Sequence, residues 1–218
     1  MLDRFKGFWQ GVVLMPFVRL FIRLGVSPDA VTLVGTLGVC AGALVFFPQG
    51  MLLTGVLVIT AFVFSDLVDG AMARQLGRSS KFGAFWDSTL DRIGDGAVFG
   101  GLVLYFAADG DSQLYLALSL FCLVMGSVTS YARDRAESLG MDAKGGLAER
   151  ADRLVLILVA TGLGAIFDVP WLMYAALWIL AFANTYTVVF RVLKVRRQAL
   201  ALDAAADPAT GAAADPSV

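Results

Sequence analysis

Charge is nearly absent from long stretches of this chain, and that absence limits what the chain can become. Several windows of about 20 residues carry almost no Asp, Glu, Lys or Arg, the length a helix needs to cross the hydrocarbon of a bilayer. Six apolar segments can be placed, at roughly 30–47, 51–75, 83–107, 112–138, 150–167 and 170–193. Turn signals divide them at PQG (48–50), GRSS (77–80), DGDS (109–112) and DVP (168–170). The residues are 58% hydrophobic and the mean hydropathy is +0.76, against roughly 45–50% apolar residues in a soluble domain. The expectation is an all-α integral membrane bundle of six transmembrane helices.

The basic residues set an orientation. All 17 Lys and Arg fall in the N-terminal segment, around the second-to-third junction, around the fourth-to-fifth junction, or at the C-terminal end. The other junctions contain none, so the positive-inside rule puts both termini and the GRSS turn in the cytoplasm. Residues 1–26 alternate aromatics and leucines with Arg4, Lys6, Arg19 and Arg23, with Pro16 as an interruption. That pattern suits an amphipathic helix lying in the interface, its arginines reaching for headgroups. Residues 27–197 form the six-helix domain, and the Ala-, Asp- and Pro-rich 198–218 reads as a disordered tail. Cys40 and Cys122 sit inside apolar runs and read as small buried hydrophobes.

Against this background the stretch from Ser65 to Arg92 is costly, because it places Asp66, Asp69, Asp87 and Asp91 beside the membrane. Asp66 and Asp69 are three apart on one helix, and Asp87 and Asp91 are four apart on the next. Both spacings put the two side chains on one helical face. If the two segments turn back at GRSS, Asp66 falls opposite Asp91 and Asp69 opposite Asp87. Four carboxylates so close repel, and an ionisable group in the membrane is a functional hypothesis by default. A cation relieves the repulsion. With no histidine in the chain the donors are hard oxygens, which suit Mg²⁺, Mn²⁺ or Ca²⁺. Two ions could share such a ligand set, as in two-metal phosphoryl-transfer sites.

The neighbouring residues suit phosphate. Gly70 opens the backbone beside Asp69, Arg74 offers a planar fork of donors, and Ser79, Ser80 and Lys81 add more in the turn. At the start of the first segment, Ser27 reads as an N-cap with Pro28 at the first helical position. Asp29 and Thr32 then project near the same membrane face. Asp95 extends the Asp87–Asp91 stripe by one turn and reads as a structural partner, with Arg92 its candidate.

These positions spell D-x2-D-G-x2-A-R-x8-G-x3-D-x3-D on Asp66, Asp69, Gly70, Ala73, Arg74, Gly83, Asp87 and Asp91. The chain thereby resembles the CDP-alcohol phosphotransferases. The stretches SPDAVTLVGT, DRIGDGAVF, SYARDRAESLG and GGLAERADRL resemble the actinobacterial branch that joins CDP-diacylglycerol to inositol phosphate. The resemblance implies a metal-dependent membrane enzyme of the cell membrane, homodimeric, with two Mg²⁺ (or Mn²⁺) and no nucleic-acid partner. It would transfer the phosphatidyl group to inositol phosphate, releasing phosphatidylinositol phosphate and CMP. It implies that Asp66, Asp69, Asp87 and Asp91 ligate metal, and that Asp91 is also the catalytic base. CDP-diacylglycerol would be held by Asp29, Ala30, Val31, Thr32, Gly70, Arg74 and Ser80. Inositol phosphate would be held by Arg133, Arg153 and Arg191, although positive-inside anchoring explains each of these arginines equally well alone.

Two other readings compete. A phosphatidylglycerophosphate synthase using glycerol-3-phosphate shares the whole signature. An ion-coupled transporter also needs membrane carboxylates, but here they cluster at one face and no inverted repeat supplies a matching pair. A substitution separates enzyme ligands from interfacial anchors. Asp66→Asn is expected to weaken the dependence on metal first, and a metal titration indistinguishable from wild type counts against a ligand role.

Overall fold

A computed structural model describes residues 15–64, 68, 70–72, 75, 80–147 and 149–206, and every regular element among them is helical. Helix α1 spans Met15–Arg23 and α2 spans Pro28–Ala41. The latter continues through a π turn at Gly42–Phe46 and a 3₁₀ turn at Phe47–Gln49. Helix α3 covers Leu52–Val63, α4 Lys81–Ala107, α5 Gln113–Ser138, α6 Arg150–Phe167 and α7 Trp171–Ala206. The segment boundaries expected at PQG, DGDS and DVP are turns. At PQG the helix stops on Gly50, whose φ of 71° is one a side chain rarely adopts.

Among the described residues, three helices are long and apolar enough to cross a membrane, at Pro28–Gln49, Gln113–Ser138 and Trp171–Ala204, and Leu52–Val63 is a shorter apolar helix. Helix α4 is longer than most, but Asp87, Asp91, Arg92 and Asp95 all lie within its first fifteen residues. Helix α6 opens with Arg150, Asp152 and Arg153. The chain therefore sorts each of these two helices into an apolar half and a charged half, and the charged halves meet at one end of the bundle.

The bundle is knit by α5 against α4 and α7, α6 against α3 and α7, and α2 against α3 and α4. One continuous core includes Ala43, Phe47, Ile59, Val98, Leu102, Phe106, Cys122, Ile157 and Leu177. Glycines set the approach of α2. A Cβ at Gly38 would overlap the Phe62 ring, and one at Gly42 would lie 2.8 Å from Ile59 Cγ1. The π turn then swings Phe47 inward, where it is 1% exposed. Its ring fills the space that side chains at Gly55 and Gly101 would take, 2.6 and 3.1 Å from the two Cβ positions. Gly96 and Gly100 are different, for a Cβ at either meets nothing within 4 Å. Cys40 and Cys122 are free, and Cys122 is buried, as a small hydrophobe would be.

Helix α1 is the described part of the expected interfacial segment, and residues 1–14 lie outside the described residues. Pro16 sits in its first turn, where a missing N–H costs nothing. Helix α7 continues through Ala206, past the boundary expected at 197, and residues 207–218 lie outside the described residues. The loop before α6 is bonded along α7 from Thr187 to Gln198. Asp142 N–H donates to Gln198 Oε1 (2.9 Å), Gln198 Nε2 to Asp142 O (2.6 Å), and Lys194 Nζ to Asp142 Oδ2 (2.7 Å). Higher up, Lys194 Nζ donates to Lys144 O, Arg191 Nε to Gly145 O, and Leu147 N–H to Thr187 Oγ1. Thr187, Arg191, Lys194 and Gln198 share one helix face, so the loop lies along α7 as an extended strap. Gly146 makes this fit possible: its φ is 121°, and a Cβ there would overlap the Thr187 side chain. The Lys194 ammonium, with the Lys144 N–H, holds the Asp142 carboxyl below the usual carboxylate range.

The α2–α3 contact makes a direct prediction. Gly38→Val drives a branched side chain into Phe62 and is expected to cost about 1–3 kcal/mol. The check is thermal unfolding of the detergent-solubilised protein, and a midpoint equal to wild type contradicts the packing described.

Candidate active site

Two helix N-termini and a short hydrophobic cluster build one side of the site. Ser27 caps α2, its Oγ accepting the Ala30 N–H at 3.2 Å, with Pro28 in the first turn. Ser80 caps α4, its Oγ accepting the Gly83 N–H at 2.8 Å. The two starts are tied together by Trp86, whose indole N–H donates to Asp29 O at 3.2 Å. A Cβ at Gly83 would stand 3.6 Å from Asp29 Oδ1, so the glycine leaves the carboxylate uncovered on that side. Thr32 is buried and its hydroxyl donates to Pro28 O at 3.1 Å. Val31 packs with Val18 and Met72, joined by Val68 and Ala71. Gly70 lies between those last two residues. Asp29, Ala30, Val31, Thr32, Gly70 and Ser80 thus lie at one end of the bundle. Asp66, Asp69, Arg74 and Ser79 lie outside the described residues.

Asp87, Asp91 and Asp95 follow one another at single turns along α4, and their surroundings differ by depth. Asp87 is exposed and, among the described residues, forms no ion pair. Asp91 is half-buried and bonds Arg150, with Nη1 to Oδ1 at 2.8 Å. Asp95 is 7% exposed and sits between two arginines, Arg150 Nε on Oδ1 at 3.1 Å and Arg153 Nη2 on Oδ2 at 3.0 Å. The sequence reading paired Asp95 with Arg92. Arg92 instead reaches Asp134 on α5, at 3.6 Å. Spacing alone does not forbid the expected pair, since residues three apart are helix neighbours; both Asp95 oxygens are instead taken from α6 by Arg150 and Arg153, and Arg92 turns to α5.

The other side of the site is a cleft of about 300 Å³ among α4, α5, α6 and α7. Arg133, Arg153 and Arg191 all line it, together with Asp91 and Arg150. The three arginines expected to bind an anionic acceptor therefore share one cavity, although they lie on three different helices. Each is held differently. Arg133 pairs with Glu137 at 3.0 Å on the exposed rim. Arg191 is 3% exposed, and donates from Nη1 to Thr129 O (2.6 Å) and from Nε to Gly145 O (3.2 Å). Arg153 is 1% exposed, and Gly126 makes room for it, since a Cβ there would come 3.2 Å from its Nε. Asp134, Glu137 and Glu149 also line the cleft, so its cations are partly balanced before any anion enters.

Sequence reasoning missed Arg150. It is the first residue of α6, fixed by a capping box in which Glu149 and Asp152 exchange side-chain and backbone bonds. The run Glu149–Arg150–Ala151–Asp152 carried that signal, since acidic residues three apart ahead of an apolar stretch mark a helix start. Apolar side chains are exposed at two places nearby. Phe82 and Phe85 are exposed and Trp86 stacks on Phe82 (5.9 Å between centroids), whereas an apolar cleft of about 370 Å³ opens among α1, α2 and α3. Phe21, Val34, Phe62 and Phe64 are among its walls.

The buried pair gives a stability test. Asp95→Ala leaves Arg153 without its carboxylate in a dry setting, where breaking such a pair costs about 3–5 kcal/mol. Asp134→Ala removes only an exposed pair, worth about 0–1 kcal/mol. Unfolding midpoints of the two variants are expected to separate clearly, and equal midpoints contradict the burial of the Asp95 network.

Comparison with known proteins agrees with this geometry. A family model described as CDP-alcohol phosphatidyltransferase matches residues 25–189. The phosphatidylinositol phosphate synthase of Streptomyces avermitilis is 53% identical over 211 residues, covering 94% of this chain and 86% of the relative. That of Cutibacterium acnes is 48% identical, covering 90% of this chain and 98% of the relative. A crystal structure of Mycobacterium tuberculosis phosphatidylinositol phosphate synthase with CDP-DAG bound superposes with a TM-score of 0.80 at 40% identity, covering 84% of this chain and 93% of that one. The same enzyme in complex with manganese and citrate gives the same TM-score and identity, covering 88% of that chain. With the signature intact, the helices in place and the family model spanning most of the sequence, this chain belongs to the CDP-alcohol phosphatidyltransferase family.

Proposed function

We propose that the protein transfers the phosphatidyl group of CDP-diacylglycerol to inositol phosphate, giving phosphatidylinositol phosphate and CMP. The observation that carries this reading is the cleft in which Asp91 shares walls with Arg133, Arg153 and Arg191. A carboxylate able to take a proton stands beside cations able to hold a phosphorylated alcohol. Relatives that are 40–53% identical and named phosphatidylinositol phosphate synthase support the choice of acceptor.

Each side of the site has a task. Asp29–Thr32, Gly70, Arg74 and Ser80 hold the cytidine diphosphate at the paired N-termini of α2 and α4, where backbone N–H groups favour an anion. The acceptor phosphate rests among the arginines. Asp91 takes the proton of the attacking inositol hydroxyl, whose oxygen bonds to the lipid-side phosphorus as the bond to the CMP oxygen breaks. Asp66, Asp69, Asp87 and Asp91 are the residues that would hold divalent cations, two in number, Mg²⁺ or Mn²⁺. The donor set fits, since exposed Asp87 forms no ion pair among the described residues and all four donors are carboxylate oxygens. Bound there, the cations supply charge neutralisation on the diphosphate and the departing CMP.

The setting follows from the same reading. The apolar helices and the family make this a membrane protein. In this reading the protein has six spans, with both termini and the active site at the cytoplasmic face of the cell membrane as the basic residues suggest, residues 1–26 in the interface, 27–197 as the catalytic domain and 198–218 as a tail. Acyl chains enter the apolar cleft among α1, α2 and α3. Gly96 and Gly100, open to the outside of the bundle, suit the close approach of a second copy in a homodimer.

Release of CMP from CDP-diacylglycerol, assayed with inositol phosphate, free inositol and glycerol-3-phosphate in turn, tests the reading. Turnover only with inositol phosphate is expected. Turnover with glycerol-3-phosphate instead makes the protein a phosphatidylglycerophosphate synthase, and no CMP with any acceptor favours transport. Asp91→Asn is expected to fold and to lose about 10²–10⁴-fold in turnover; a wild-type rate removes Asp91 from the mechanism.

A further inference from the structure

Arg150 touches both acids of the inner α4 face. It reaches Asp91 Oδ1 at 2.8 Å and Asp95 Oδ1 at 3.1 Å, while Asp95 Oδ2 is taken by Arg153 at 3.0 Å. The result is a line of alternating charge, Asp91–Arg150–Asp95–Arg153, running from the cation-ligand stripe into the acceptor cleft. Arg150 cannot drift along this line. It is the first residue of α6, locked by the Glu149–Asp152 capping box, and the Arg153 N–H bonds Glu149 O at 3.1 Å. Its planar guanidinium presents Nη1 to Asp91 and Nε to Asp95, so one rigid group sets the position of an oxygen on each carboxylate.

We propose that Arg150 is a positioning residue for Asp91. It anchors the carboxylate at Oδ1, which narrows the directions that the remaining lone pairs of Asp91 can take toward the acceptor hydroxyl. Its positive charge, so close to a cation ligand, also opposes the cation. This inference rests on the reading of Asp91 as base and metal ligand. Residues that hold a metal ligand from behind are usually neutral or acidic, and losing them weakens both metal binding and activity. A cationic one works with opposite signs on the two. Losing Arg150 slows the reaction while tightening the metal.

The experiment uses the purified full chain and the variants Arg150→Gln, Arg150→Lys and Asp91→Asn. Mn²⁺ binding is read from the electron paramagnetic resonance of free Mn²⁺ without substrates, and turnover from CMP release. For Arg150→Gln, kcat is expected to fall by about 10–100-fold, with KM for CDP-diacylglycerol unchanged and Mn²⁺ binding tightened several-fold. Arg150→Lys keeps the charge without the fork, so it is expected to restore the wild-type Mn²⁺ affinity and only part of kcat. A wild-type kcat in Arg150→Gln overturns the proposal. So does Mn²⁺ binding that weakens in step with kcat, the mark of a site that has merely come apart. Asp91→Asn separates the two ideas. If it turns over normally, the base reading fails; if it is inactive while Arg150→Gln is normal, only the role of Arg150 fails.

Discussion

A charge that enters a membrane bundle must be answered by another, and the Asp91–Arg150–Asp95–Arg153 line is where this protein meets that constraint. Asp95 and Arg153 are almost wholly buried, and each would be costly alone. Together they let α4 and α6 carry their charged halves inward at the same end of the bundle. Arg150 and Asp91, half-buried at the outer end of the line, pass that order on to the stripe where Asp87 faces outward. The active-site end of the fold is therefore organised by ion pairing, and the opposite end by apolar contact around Phe47, Phe106 and Leu177.

The strap from Asp142 to Leu147 serves the same arrangement. Its bonds to Thr187, Arg191, Lys194 and Gln198 fix where α6 begins, and with it Arg150 and Arg153. Arg191 thus has a structural duty, through Gly145 and Thr129, beside its place in the cleft it shares with Arg133 and Arg153. A change at Arg191 would alter both the shape of the cleft and the charge it offers. For this reason a loss of activity in an Arg191 variant would not by itself identify a ligand. The split between acceptor KM and kcat would say more.

Much of the architecture was legible from the distribution of charge. Helix ends at PQG, DGDS and DVP followed from turn residues, and Ser27 and Ser80 sit at helix starts as polar caps should. The gathering of Arg133, Arg153 and Arg191 was legible mostly through the family resemblance, because their places near cytoplasmic span ends suit a cluster but each alone also reads as an anchor. Three features were hidden for physical reasons. The π turn at Gly42–Phe46 depends on how Phe47 packs against Gly55 and Gly101, which hydropathy does not encode. The run of α7 past 197 is bonded at Gln198 to a loop some fifty residues earlier in the chain, a contact that hydropathy does not report. The partner of Asp95 is chosen by which helix faces it, so the nearest arginine in sequence was the wrong one.

The central claim is that divalent cations balance the acidic stripe at the junction of α3 and α4. Crystals grown with Mn²⁺ and measured at the manganese absorption edge test it most directly. The account predicts anomalous density bridging Asp87 and Asp91 to Asp66 and Asp69, with Arg150 still on the far side of Asp91. Ordered carboxylates turned away from one another, with no anomalous peak among them at saturating Mn²⁺, would contradict it.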